Sequence, residues 1–247
     1  MRVGALEPTY VLMTPEETRS RVLYRDGLMI VIDKPAGVAV HAGPKGGPSL
    51  EDDLDALRFG LPRRPSLAHR LDRDTAGCLI LGRHRKALEK LGLLFKQGKI
   101  GKTYWAIVAG SPAAENGVID LKLGRLDDTR GWWMKVDAKG QPAQTLWRVL
   151  GRGVWRQRPI AWLELEPKTG RTHQLRVHAA AQGWPILGDA IYGERAEAPL
   201  QLLARKVVVP LTKTKPPIAV EAPAPAHMAE TLAACGSKGV GDAPGRN

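Results

Sequence analysis

His69-Arg70-Leu71-Asp72-Arg73-Asp74-Thr75-Ala76-Gly77 sets carboxylates among arginines just before an apolar run. Nearby positive charge favours the anion, so a carboxylate here could act as nucleophile or base without first losing a proton. The same composition suits a structural salt-bridge cluster. Gly101-Lys102-Thr103-Tyr104-Trp105-Ala106 places a Tyr near a Lys on a strand. That Tyr could stack on a nucleobase and offer its hydroxyl, or be an ordinary half-buried strand residue. Gly170-Arg171-Thr172-His173-Gln174-Leu175-Arg176-Val177-His178 reads as a helix on which His173 and Arg176 share a face. Arg176, and Arg171 from the helix start, could reach inward to a buried carboxylate, or the segment could be a solvated basic face. Gly183-Trp184-Pro185-Ile186-Leu187-Gly188-Asp189-Ala190-Ile191-Tyr192-Gly193 is a tightly constrained loop. It is expected to support the third segment, with a substrate contact as the second reading.

The intervening chain supplies elements to hold these segments. Leu28–Asp33 reads as a buried strand ended by Pro35 and Gly37, and Cys78–Leu81 as a second. Ser49 can cap a helix from Leu50 to about Phe59, with acids in its first turn and Gly60 after it. Arg85 to Gln97 carries Leu88, Leu91, Leu94 and Phe95 at helical spacing, and Gly98 stops it. Thr103–Val108 is predicted as a strand, and Trp162–Glu166 alternates as a half-buried strand does. Thr172 to Gln182 is predicted helical up to Gly183, and Pro225 to Cys235 forms a last short helix. Asp127 to Gly140, with Trp132, Trp133, Met134 and Lys135, is a candidate RNA-facing hairpin, its alternative being packing against the sheet. The elements mix without a strict βαβ rhythm, which points to an α+β fold with a mixed sheet.

Composition narrows the chemistry. The 247 residues carry a formal charge of +12, with 37 Lys and Arg against 25 Asp and Glu. Between Arg58 and Lys102 stand 12 basic residues and three acids (Asp72, Asp74, Glu89), a net +9. A localised excess of this kind suits a polyanionic partner. Two cysteines, Cys78 and Cys235, exclude a disulfide scaffold and a four-thiolate zinc site. His173 and His178 are five apart, which does not match the helical zinc pair, so no metal is expected. There is no GxGxxG or GxxxxGK[ST] loop. The apolar runs fall short of the roughly 20 residues a membrane helix needs, and no secretory pattern opens the chain. A cytoplasmic protein is expected, and a monomer, since no long apolar repeat suggests a dimer seam.

In this order and spacing, the segments resemble the RluA family of RNA pseudouridine synthases. The likeness runs from Leu28-Met29-Ile30-Val31-Ile32-Asp33-Lys34-Pro35-Ala36-Gly37 to about Cys235. The family's HRLDxxTSG motif stands at His69–Gly77, with Ala76 where Ser is usual. Its RKTY-like strand stands at Gly101–Tyr104, and its RTHQ[IL]RVH helix and GDxxYG loop are complete. Leu203 lies where relatives often show His.

The resemblance implies a pseudouridine-synthase-like catalytic domain over residues 1–235. Its sheet would be mixed and largely antiparallel, with flanking helices and loops around a basic cleft. A flexible tail over 236–247 and no S4-type domain are expected. The implied catalytic residues are Asp72, Tyr104 packing on the base, and Arg176 pairing with the aspartate. Arg70, which would help fill the gap left by a flipped base, Arg73, Lys102, Arg171 and His173 would contact RNA. The substrate class would be ribosomal or transfer RNA, and an isomerisation without redox change needs no cofactor. The alternatives are a non-catalytic RNA-binding or ribosome-assembly factor, resting on the +9 segment and the Trp residues, and a glycosylase releasing uracil.

Overall fold

The computed structural model describes residues 13–43, 46–127, 132–193, 198–212 and 214–237. The elements run α1 (Pro15–Ser20), β1 (Val22–Arg25), β2 (Met29–Lys34), a 3-10 helix (Leu50–Leu57), β3 (Ser66–Leu67) and β4 (Ala76–Gly82). There follow α2 (Arg85–Lys96), β5 (Gly101–Ala109), β6 (Asn116–Asp120), β7 (Leu123–Arg125), β8 (Met134–Val136), β9 (Gln144–Trp155) and β10 (Arg158–Pro167). The chain closes with α3 (Gln174–Ala181), β11 (Leu202–Val209), β12 (Ile218–Glu221), a 3-10 turn (Ala226–Met228) and α4 (Ala229–Ala234).

Ten strands form one sheet with the order β1-β2-β4-β11-β5-β10-β9-β6, where β12 also pairs β11 and β3 pairs β4. Among the described residues every strand pairing but one is antiparallel; β4 and β11 run parallel, through Leu203 opposite Ala76 and Ala204 opposite Gly77. β7 and β8 make a separate hairpin. The architecture is the α+β, mixed and mostly antiparallel sheet expected.

β4 is buried along its whole length, as a strand covered on both faces must be, so its apolar run is continuous rather than alternating. One face of β2 and β4 packs Ile30, Ile32, Leu79 and Leu81 against Leu50, Leu54 and Leu57 of the 3-10 helix. The other face packs Met29, Val31, Cys78 and Ile80 against α2 and α4 through Leu91 and Leu232. A further cluster joins β5 and β10 to α3 through Ala106, Leu163, Leu165, Leu175 and Ala179. The sheet therefore has two wings, with β11 between them. Among the described residues no helix is long and apolar enough to cross a membrane.

Several boundaries differ from expectation. The segment after Ser49 is a 3-10 helix that ends at Leu57. The third motif becomes helical only at Gln174, because His173 takes a left-handed backbone (φ 52°, ψ 18°) as its N-cap. His173 is therefore the N-cap rather than a helical residue, yet its ring still meets Arg176 Nη1 at 3.4 Å. The C-terminal helix is split into a 3-10 turn and α4. The hairpin pairs Leu123–Arg125 with Met134–Val136, so it begins earlier than Asp127 and its tip lies outside the described residues. Of the expected C-terminal tail, only Gly236 and Ser237 are described.

Candidate active site

Asp72 stands on the loop between β3 and β4, flanked by buried Leu71 and Thr75. Those neighbours turn into the protein and leave the Asp72 side chain 21% exposed. Lys34, at the end of β2, is fully buried, and its ammonium donates to the carbonyls of Pro35 (2.7 Å), Val38 (2.8 Å) and Arg73 (2.8 Å). Arg73 Nε donates to Gly37 O at 3.1 Å. The Asp72 loop is thus stitched to the loop after β2. Gly77 makes the adjoining strand pair possible: at φ +107°, a Cβ would sit 2.4 Å from Ala204 O, closer than any side chain tolerates.

Tyr104 comes from β5, opposite Leu165 of β10. Burial foremost, then the charge of Asp72, pushes its phenol up, so it stays protonated at neutral pH.

Arg176 comes from the first turn of α3. Its Nε and Nη2 hold Asp189 Oδ2 and Oδ1 at 2.8 and 2.7 Å, a two-pronged pair with a carboxylate of 0% exposure. Asp189 Oδ1 also accepts from the N–H groups of Ile191 and Tyr192. Burial opposes ionising Asp189, but the bonds and charge of Arg176 outweigh it and hold the carboxyl below its ordinary value. The third guanidinium nitrogen of Arg176 faces Asp72 Oδ2 at 3.6 Å. The Gly183–Gly193 loop is accordingly the support for the third motif. Gly188 fits there at φ +80°, where a Cβ would meet Pro199 O at 2.3 Å.

His173 Nε2 lies 3.7 Å from the same Asp72 oxygen, and its Nδ1 is 2.8 Å from the Tyr192 hydroxyl. That hydroxyl accepts the Met134 N–H at 2.9 Å, so its own proton is free to point at His173 Nδ1. Burial, the largest influence, pulls the His173 pKa down. His173 Nε2 also lies 3.4 Å from Arg176 Nη1, so His173, Arg176 and Asp72 meet at one point of the cavity. Trp132, 57% exposed, stands edge-on to His173 with ring centroids 5.1 Å apart. Met134 packs below with Tyr192, Leu123 and Val177. The hairpin both packs on the body, through Met134, and presents an exposed aromatic, Trp132.

Asp72, Tyr104, Arg176, His173, Arg70 and Lys102 line a cavity of about 300 Å³. That is the lower end of the range for small-molecule sites, about 300–1,000 Å³. One expectation is corrected. Arg171 lines the cavity but does not reach a buried carboxylate; the turn at His173 sends its Nε to Pro142 O at 3.0 Å. Arg73 does not line the cavity; it is exposed beside it, with its Nε on Gly37 O. His69 is a wall residue: its Nε2 accepts the Ile80 N–H at 3.0 Å, and burial, then the Lys102 charge, lowers its pKa to about 3. Among the described residues no group of three His, Cys, Asp or Glu is placed to hold a metal ion.

Residues 28–181 match the family described as RNA pseudouridylate synthase. The chain belongs to this family. An uncharacterized RNA pseudouridine synthase of Zymomonas mobilis is 43% identical over 210 residues, covering 83% of this chain and 94% of that protein. Ribosomal large subunit pseudouridine synthase C of Vibrio cholerae is 35% identical over 191 residues, covering 76% of this chain and 58% of its own length. Human RNA Pseudouridylate Synthase Domain Containing 4 is a solved structure that matches with a TM-score of 0.75 at 26% identity, over 90% of this chain and 95% of that one. The protein is an RNA pseudouridine synthase of the RluA type, an isomerase acting on RNA.

Sequence reasoning did not single out Lys34, Gln174 or Tyr192 as parts of the site. Lys34 could have been noticed as a cation at the end of a buried apolar strand. Gln174 ties Thr169 and the Arg171 N–H to Gln144 O and Thr145; nothing in its spacing signals that. The two departures from the family pattern meet in space. Ala76 and Leu203 are partners across the parallel pair, both buried, so an apolar pair occupies the place of the usual Ser and His.

Proposed function

We propose that this pseudouridine synthase isomerises particular uridines in ribosomal or transfer RNA, in the cytoplasm, with Asp72 as its catalytic group. The observation that carries the reading is Asp72 at the cavity, faced by Arg176 and His173, with the protonated Tyr104 phenol in the same cavity. A uridine must leave its stack to reach such a group, at a cost of a few kcal/mol. Arg70, exposed at the cavity mouth, is positioned to occupy the gap. Asp72 assists cleavage of the N1–C1′ bond, either by attack on C1′ or by removing the 2′ proton. The base turns within the cavity, C5 bonds to C1′, and the C5 proton is lost as N1 gains one. Atoms balance without redox chemistry. Tyr104 packs on the base and can carry a proton; Arg176, fixed by Asp189, keeps a positive charge toward Asp72.

The test maps pseudouridine in total RNA from cells lacking the gene, complemented with wild type or with Asp72→Ala. The expected result is loss of one or a few discrete sites, restored by wild type alone. Restoration by Asp72→Ala would overturn the role of Asp72, and free uracil in the product of the purified protein would indicate glycosylase chemistry.

A further inference from the structure

A second concavity of about 790 Å³ adjoins the catalytic cavity. The two share a wall of Phe95, Lys102, Pro167, Thr169, Gly170 and Arg171. The groove runs between the end of α2, the start of β5 and the turn after β10. Lys96, Lys102, Lys168 and Arg171 line it against one acid, Glu166. Gly98, Gly101 and Gly170 also line it, so at these points its wall carries no side chain.

Lys102 is the telling residue. Its ammonium sits at the junction of the two cavities and makes one hydrogen bond, to Thr169 O at 3.1 Å. Among the described residues no carboxylate pairs with it. It is half-buried, and burial alone lowers its pKa. A partly desolvated cation without an anion is costly, and an ammonium has three donors to satisfy. An anion arriving at the junction would relieve both. The other cations rank differently. Lys96 lies in the last turn of α2, where it first offsets the negative end of the helix. Lys168 is paired with Glu166 at 2.9 Å, but both are well exposed, and such pairs exchange at little cost.

We propose that this groove is the track by which the RNA strand leaves the uridine cavity, with Lys102 holding a backbone phosphate of the nucleotide adjoining the flipped uridine, and Lys168 and Arg171 holding further phosphates. The proposal rests on the reading of the cavity as the uridine site. A base drawn into the cavity brings its sugar to the mouth, and the adjoining phosphate must lie nearby. The junction is where the wall offers an ammonium lacking an anion.

The test measures binding of a 16-nucleotide oligouridylate across a KCl series. Wild type, Lys102→Met, Lys168→Met and Arg85→Met are compared, with thermal melts run on each. Arg85 opens α2, at the far end from Lys96, and controls for net charge. Removing the cation that neutralises one single-strand phosphate should reduce the salt slope by about 0.7. The expected result is that reduction in both groove variants and an unchanged slope in Arg85→Met. Slopes equal to wild type in both groove variants, or the same loss in Arg85→Met, overturn the proposal; Lys168→Met keeps it decidable should Lys102→Met fold poorly. The salt slope reports the groove, whereas pseudouridine formation reports the catalytic reading. Reduced slopes together with RNA sites restored by Asp72→Ala would uphold the groove and overturn the catalytic role of Asp72.

Discussion

Lys34 and Arg176 are both buried cations beside Asp72, and they are compensated in opposite ways. Arg176 meets a buried carboxylate with two short bonds, and Asp189 raises its pKa against the cost of burial. Among the described residues Lys34 meets three carbonyl oxygens and no carboxylate at bonding distance; burial lowers its pKa to about 7, with Asp74, Asp72 and Asp33 opposing from farther away. The α3 side of the site thus carries a permanent charge whose third nitrogen faces Asp72 and His173. The β2 side carries a tether whose charge is conditional near neutral pH. A neutral amine has two protons to share among three carbonyls, so one bond of the tether is lost as Lys34 deprotonates.

The largest expected effect comes from breaking the permanent pair. Asp189→Ala leaves the buried Arg176 charge with only the longer, partly exposed contact to Asp72 at 3.6 Å, and removing one partner of a buried pair costs about 3–5 kcal/mol. Denaturant unfolding should show a loss of that size, and turnover should collapse. A loss under about 1 kcal/mol would mean that Arg176 is not held as the geometry indicates. Lys34→Met should cost less, about 2 kcal/mol, because three carbonyls lose a donor while the cost of burying a charge disappears. Its signature is in pH. The Lys34 pKa is about 7 folded and about 10.4 unfolded. Between those values the unfolded chain binds more protons, so the Lys34 contribution makes stability rise with pH. Cys78, pushed up to about 12 by burial, makes the opposite contribution once its unfolded thiol ionises. The clean window is therefore about pH 7 to 8. Wild type minus Lys34→Met should slope upward there; a flat difference would separate the tether from its charge. Arg176→Lys should cost about 1–3 kcal/mol, the two-pronged geometry being lost while the charge is kept.

The sequence made one side of this comparison more legible than the other. β2 and β4 announce themselves as unbroken apolar runs, and α2 by its leucine spacing and Gly98, found at φ +64°. The β9–β10 hairpin does not. It turns at Arg156 and Gln157, both at positive φ (48° and 63°), with none of the Asn or Gly that normally marks such a turn. β11, which joins the wings, takes its place through pairings distant in sequence. The left-handed His173 carries no periodic signal, so residue spacing starts the helix two residues early. Asp72, Tyr104 and Arg176 stand out through a family resemblance; residue types alone leave each with a structural alternative. Their convergence depends on where β4, β5 and α3 meet, which local patterns do not encode.

The smallest expected effect lies at the seam between the two sides. Ala76 and Leu203 face each other across the parallel pair of β4 and β11, four residues beyond Asp72 in the case of Ala76. Ala76→Ser would bury a hydroxyl opposite a leucine, next to the closely packed Gly77. A buried hydroxyl lacking a partner costs about 1–3 kcal/mol, and a bond back to its own strand could reduce this to about 1 kcal/mol. Leu203→His alone leaves a fully buried site holding an imidazole against an apolar partner and should cost more. Together, the hydroxyl and the imidazole can bond each other, so the double variant should be more stable than the sum of the single losses, by about 1 kcal/mol. Thermal melts of the four proteins give this coupling directly. Strict additivity would mean that the two positions do not sense each other across the seam, and that the apolar pair is two independent substitutions rather than one repacked contact.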